Sequence, residues 1–191
     1  ASPEVAARLR DGGRIADLGC GTGWSTIAMA REFPKAKVIG YDSDQASVTD
    51  ARANAETAGV DVEFVQADAS TMSGQGPFDL VLLLEVLHDL SRPVEVLEAA
   101  RRSLSADGVV LVADEKVAES FQPNGDELER MMYGWSVTYC LPASLAEESS
   151  AAIGTVLRPS QLMALAQQAG FSKVDASDID AGFFRLYVLR P

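Results

Sequence analysis

Only two cysteines, Cys20 and Cys140, and a single histidine, His88, occur in the 191 residues. Two cysteines so far apart make neither a disulfide framework nor a paired zinc-ligand spacing, and their scarcity fits a reducing, cytoplasmic setting. Long apolar runs are missing as well. The longest, residues 80–84, is stopped by Glu85 and is far too short to span a bilayer, and no signal-peptide pattern stands at the start. Basic charge is sparse, with 16 Lys plus Arg against 28 Asp plus Glu and a net charge of −12. Such a surface repels phosphate backbones and anionic membranes, and no Lys/Arg cluster is visible, so neither nucleic acid nor a membrane is expected as a partner. There is no internal repeat and no low-complexity tract.

What remains is an ordinary globular balance, 47% hydrophobic and 23% charged, at a length that makes one domain with a substantial core. The chain starts at Ala1 without a methionine, already inside what reads as a helix, so an upstream segment or domain is expected. Strands and helices then alternate. Strands are predicted at 14–18, 37–41, 62–66, 79–84 and 109–113; helices at 24–33, 44–58 and 93–104, with Ser43 as a plausible N-cap and Gly59 and Pro93 as stop and start signals. Five such units predict an α/β, doubly wound parallel sheet. Alternation stops at 116–158, which holds a polar loop, an amphipathic stretch from Asp126 to about Cys140 and a small-residue segment. A helix at 159–169 and two strands, 171–176 and 183–189, close the chain. With no helix between them, those strands pair antiparallel at the sheet edge.

The most informative ten residues are Arg14-Ile15-Ala16-Asp17-Leu18-Gly19-Cys20-Gly21-Thr22-Gly23. A short apolar run ends in Asp17, and glycines fall at 19, 21 and 23 just before a helix. Backbone without side chains can close on a ligand there. A dinucleotide fingerprint needs its third glycine at position 24, where Trp24 stands. Ligands of open α/β sheets bind beyond the carboxyl ends of the strands, and those positions are acidic here. Asp42 ends the second strand and suits a pair of ribose hydroxyls, with Ser43 beside it. Asp68 ends the third and suits an exocyclic adenine amine, while the backbone of Ala69 reaches a ring nitrogen. Glu85 ends the fourth, where its charge is costly unless paired, and an amino acid's ammonium group would pair it. Asp17 is expected to orient the turn and to approach that ammonium through water. The backbone N–H of Cys20 is expected to matter more than its sulfur.

Asp17-x-Gly19-x-Gly21-x-Gly23, with Asp42 and Asp68 after it, resembles motif I and the following acids of the class I S-adenosylmethionine-dependent methyltransferases. The resemblance implies a three-layer Rossmann-like domain whose seven-stranded, mostly parallel sheet has an antiparallel last strand. It also implies S-adenosyl-L-methionine as cofactor, S-adenosyl-L-homocysteine as product, and a small-molecule methyl acceptor. Leu87-His88-Asp89-Leu90 resembles the His-Asp-Trp motif of plant-type small-molecule O-methyltransferases, with Leu90 in place of the tryptophan. There the histidine is a general base, so His88 and Asp89 are the candidate catalytic pair, with Asp89 fixing the tautomer. Those relatives carry an upstream helical module that dimerises, so the expected missing segment makes a homodimer one of the implied assemblies. Residues 116–158 are expected to cover the acceptor, with Met131, Met132, Tyr133, Trp135 and Tyr139 as an adaptable apolar wall. Asp114 and Glu115, after the fifth strand, are expected to border the acceptor. They show no third ligand at convincing spacing, so no metal is expected. Methylation of nitrogen or carbon, and a cofactor-binding regulatory domain without turnover, stay open beside O-methylation.

Overall fold

An apolar run without polar alternation needs cover on both faces. Phe78–Leu84 finds it at the centre of a sheet, where Phe78, Leu80, Val81, Leu82 and Leu83 are buried. The computed structural model describes residues 3–72, 74–123 and 125–191. Its strands are β1 (Arg14–Leu18), β2 (Lys37–Asp42), β3 (Glu63–Gln66), β4 (Phe78–Leu84), β5 (Leu104–Glu115), β6 (Lys173–Ala176) and β7 (Phe184–Arg190). Its helices are α1 (Pro3–Arg10), α2 (Trp24–Glu32), α3 (Gln45–Ala58), α4 (Pro93–Arg102), α5 (Glu127–Trp135), α6 (Leu141–Leu145) and α7 (Pro159–Gln168). Strand order is β3-β2-β1-β4-β5-β7-β6. The first five strands run parallel, and β7 lies antiparallel between β5 and β6. This is the seven-stranded, doubly wound architecture expected from the sequence, with the closing hairpin at one edge.

Helix placement follows from which side each strand residue faces. Ala16, Leu18, Val81 and Leu83 pack with Leu97 of α4 and Leu162 and Ala166 of α7. On the other face, Ile15, Leu80 and Leu82 pack with Val5 and Leu9 of α1, while Ile27 of α2 meets Val48 and Ala51 of α3. Three layers result. The strand order reverses between β1 and β4, so the loops after these two strands diverge and leave a crevice at the carboxyl edge. Among the described residues, no helix is long and apolar enough to cross a membrane.

Some boundaries differ from expectation. The fifth strand begins at Leu104, five residues early, because Leu104 pairs with Phe78 before a register shift brings Val109 opposite Leu80. The N-cap of α3 is Asp44, whose carboxylate accepts from the Ser47 backbone N–H at 2.8 Å; the expected cap, Ser43, lies one residue outside. The amphipathic stretch is two elements: α5, then a π-helical turn at Ser136–Cys140 that leads into α6.

An ion pair ties the 116–158 segment to the last helix. Arg158, the residue before α7, donates to Glu129 Oε1 and to the Tyr133 hydroxyl, both at 2.8 Å, and to the Ala118 carbonyl. Glu129 is 5% exposed, and its other oxygen accepts from the Ala118 backbone N–H at 3.0 Å. Removing the guanidinium leaves a buried carboxylate without its counter-charge. Arg158→Ala is therefore expected to lower stability by about 3 kcal/mol in urea unfolding. A loss of only a few tenths would show that this clamp does not hold the segment.

Candidate functional site

Glycines 19, 21 and 23 all take left-handed backbone, with φ of +67°, +52° and +83°, a conformation that costs other residues energy. They serve different ends. A Cβ on Gly23 would come within 2.6 Å of the Phe64 ring, and one on Gly19 within 2.3 Å of Val86, so both allow close packing. A Cβ on Gly21 would meet no protein atom within 4 Å. Gly21 alone of the three faces open space, and its bare backbone borders a cavity of about 1150 Å³ at the carboxyl edge of the sheet.

That cavity gathers most of the predicted positions. Gly19, Gly21, Asp42, Ser43, Asp68, Ala69, Glu85 and Asp89 line it, with Tyr41, Val86 and Leu90. Asp42 accepts from the Gly21 backbone N–H through Oδ2 at 2.7 Å and from Asp44 N–H through Oδ1 at 2.9 Å. Each oxygen keeps a second lone pair for a further donor. Asp68 caps the 3-10 turn Ala69–Thr71, accepting from Ser70 N–H at 2.8 Å, and Arg92 donates to its other oxygen at 2.8 Å. Burial works against its charge, but Ser70 and Arg92 outweigh it and hold the carboxyl below its ordinary range. Asp68 is thus a turn cap and a cavity residue at once. Arg92, also a cavity residue, had no signal in the sequence beyond lying next to Pro93.

Four predicted positions stand outside the cavity wall: Asp17, Cys20, Gly23 and the buried His88. Asp17 is buried, and its Oδ2 accepts from the Ser25 and Thr26 hydroxyls at 2.6 and 2.7 Å, which fixes the start of α2 against β1. Burial raises its pKa, tempered by those two bonds. Gly23 is the packing glycine at the N-cap of α2. The backbone N–H of Cys20 donates to the Tyr41 carbonyl at 3.0 Å, as that of Gly19 does at 2.8 Å, so this N–H holds the turn after β1 against the end of β2. Burial pushes the Cys20 thiol up to about 12, so it acts as a packing group.

The second concentration of chemistry lies behind Glu85. That residue has φ of +58°, a left-handed kink by which the chain leaves β4, while its N–H still bonds the Ala113 carbonyl. Next comes the 3-10 turn Leu87–Asp89, and His88 is 3% exposed. Its Nδ1 lies 3.0 Å from Asp114 Oδ1 and 3.3 Å from Glu115 Oε2, while Nε2 lies 3.3 Å from Asp89 Oδ1. Asp89 therefore sits on the opposite nitrogen from the one that fixes the tautomer. Asp114 fills the orienting role expected of Asp89, because parallel pairing of β4 and β5 brings their ends together.

So many acids around one imidazole perturb each other. Burial works to lower the His88 pKa, but the Asp114 hydrogen bond and the charges of Asp114, Glu115 and Asp89 prevail and raise it to about 10. Burial, then the Asp114 hydrogen bond, pushes Glu115 up to about 9. Burial and the Asp114 charge push Glu85 up to about 7, against the pull of His88. Near neutral pH the cluster holds protons that free side chains would have released. One ring nitrogen of His88 and one oxygen each from Asp114 and Glu115 lie within 4.8 Å of one another, so His88 is the third donor that linear spacing did not reveal.

The expected aromatic wall is corrected. Of its five residues only Tyr139 lines the cavity, with Ala143, Glu147, Glu148 and Ser149 after it. Met132 points into the core and is fully buried, Met131 and Trp135 face outward at 42% and 44% exposure, and Tyr133 is engaged with Arg158 and Phe121. Arg158 holds α5 through Glu129 and Tyr133, and the helix turns Met132 inward while Met131 and Trp135 stay at the surface.

The comparisons agree with this geometry. A family profile described as a methyltransferase domain matches residues 9–170. A ubiquinone biosynthesis O-methyltransferase of Ruegeria sp. strain TM1040 is 30% identical over 164 residues, covering 85% of this chain and 61% of its own length. A trans-aconitate 2-methyltransferase of Azoarcus sp. strain BH72 is 32% identical over 114 residues, 59% of this chain and 44% of that protein. The chain thus spans less than two thirds of either relative. The crystal structure of a putative O-methyltransferase from Nostoc punctiforme superposes with a TM-score of 0.73 at 19% identity, covering 98% of this chain and 55% of that one, a likeness of fold. With the glycine turn, the acid after β2 and the sheet order in hand, the chain belongs to the class I S-adenosylmethionine-dependent methyltransferase family.

Proposed function

We propose that this domain transfers the methyl group of S-adenosyl-L-methionine to a hydroxyl of a small molecule, with His88 as the general base. The observation that carries the reading is the His88 imidazole held at Nδ1 by Asp114, with Nε2 turned toward Asp89, a residue of the cavity wall. The curated relative from Ruegeria, named as an O-methyltransferase, supports the choice of oxygen.

The residues present fit the cofactor. Gly21 leaves a cradle that a Cβ would fill, Asp42 keeps lone pairs for two ribose hydroxyls, and Asp68 with the Ala69 backbone faces the adenine edge. Glu85, poised to ionise near neutral pH, pairs with the cofactor's ammonium group. Asp17 holds the turn and the start of α2 in place. Bound there, S-adenosylmethionine supplies an electrophilic methyl carbon and a sulfur leaving group. What the protein adds is alignment and exclusion of water, and orientation of this kind contributes about 7–11 kcal/mol. His88 takes the acceptor's hydroxyl proton at Nε2, and Asp114 stabilises the imidazolium that forms. Residues 116–158 border the acceptor side through Tyr139 and Ala143. Six wall carboxylates, those of Asp42, Asp68, Glu85, Asp89, Glu147 and Glu148, face a single guanidinium, Arg92. An uncharged phenol or enol suits such a wall better than a polyanion.

The pH profile follows from the raised pKa. A base at about 10 is protonated at neutral pH, so kcat/KM for a phenolic acceptor is expected to rise about tenfold per unit above neutrality instead of levelling near 6.5. Asp114→Asn should shift that limb to lower pH. His88→Ala should slow phenol turnover about 10²–10⁴-fold and barely affect an amine acceptor that is already neutral. A plateau near 6.5, or equal losses for both acceptors, would refute the base assignment.

Gly21→Ala probes the cradle. With no protein atom near the added methyl, unfolding stability should fall by only about 1 kcal/mol, from the left-handed backbone, while affinity for S-adenosylhomocysteine drops at least tenfold. Unchanged affinity in calorimetry would remove Gly21 from the site.

A further inference from the structure

The π-helical turn Ser136–Cys140 widens the chain's path between α5 and α6, a distortion that recurs at functional sites. It sets Tyr139 on the cavity wall and brings Cys140 to the loop after β4. Cys140 Sγ, a carboxylate oxygen of Asp89 and a ring nitrogen of His88 lie within 4.8 Å of one another, although 51 residues separate Asp89 from Cys140. Asp114 and Glu115 occupy the Nδ1 side, so the nitrogen facing this group is Nε2, 3.3 Å from Asp89 Oδ1. That Asp89 oxygen is buried and accepts no hydrogen bond, and His88 itself is 3% exposed.

A thiol, an imidazole and a carboxylate form a donor set of borderline softness, suited to zinc and its neighbours rather than to magnesium or calcium. The imidazole has the backing that metal-bound histidines usually have, a carboxylate on its other nitrogen, here Asp114 at 3.0 Å. Three protein donors leave a fourth position for water, and Asp89 also lines the cavity.

We propose that His88 Nε2, Asp89 Oδ1 and Cys140 Sγ bind a thiophilic divalent cation of the zinc class, and that its occupancy switches methyl transfer off by taking up the imidazole. On binding, the thiol proton and the Nε2 proton leave to solvent as the metal–sulfur and metal–nitrogen bonds form. The inhibitory half rests on the reading of His88 as base; the binding half does not.

Cobalt(II) tests the site without reference to activity, because a cobalt–thiolate bond gives a near-ultraviolet charge-transfer band. Chelator-treated protein titrated with cobalt(II) is expected to develop that band to one ion per chain, and zinc(II) should displace it. Cys140→Ser, checked for folding by circular dichroism, should lose the band and weaken zinc(II) binding in calorimetry by at least about 10–100-fold. Zinc(II) should inhibit turnover in the wild type, at concentrations that leave the variant at its own metal-free rate. No band, or zinc(II) bound equally well by Cys140→Ser, would overturn the site and assign the metal to the Asp114–Glu115 side or the surface. A normal band with undiminished turnover would uphold the site and overturn both the inhibition and the base role.

Discussion

The hydrogen bond from the Gly21 backbone N–H to the Asp42 carboxylate, 2.7 Å long, is the contact on which the binding edge depends. It joins the turn after β1 to the end of β2 and so sets the distance between a bare stretch of backbone and the acid beside it. Its context makes it possible. Gly19 and Cys20 give their N–H groups to the Tyr41 carbonyl, which presses the turn against β2, and Asp17 anchors the following helix through two hydroxyls. A different turn geometry would leave Asp42 facing solvent and the cavity without its floor.

Charge is the second constraint. β4 and β5 deliver Glu85, Asp114 and Glu115 to one end of the sheet, where burial and the neighbouring charges make Glu85 and Glu115 resist ionisation. His88 is the cation that makes this tolerable, and its raised pKa is the same fact seen from the imidazole. A protein selected only for stability gains little from such a cluster, since a buried ionic group is weak evidence for stability. Its position behind the cavity is what the proposed chemistry uses.

Local geometry was legible in the chain. The apolar run of β4, the glycine turn and the acids at 42, 68 and 85 are specified by residues within a few positions of one another, and the parallel sheet then fixes which edge they share. What escaped depends on contacts between distant segments. Asp114 reaches His88 only because two strands pair in one register, and Arg92 reaches Asp68 across 24 residues. Arg158 reaches Glu129 across 29 residues, and Cys140 approaches Asp89 through a widened helical turn that no periodicity announces. The early start of β5 and the shift of the α3 cap from Ser43 to Asp44 are smaller cases of the same kind, settled by pairing and by whichever oxygen reaches a free N–H first.

Discrimination between an adenosyl sulfonium ligand and a dinucleotide tests the central claim most directly. In isothermal titration calorimetry, S-adenosylhomocysteine is expected to bind one per chain, NAD to give no heat of binding, and Asp42→Ala to lose at least tenfold in affinity while folding normally. Binding of NAD in preference to S-adenosylhomocysteine, or full affinity in Asp42→Ala, would contradict the account.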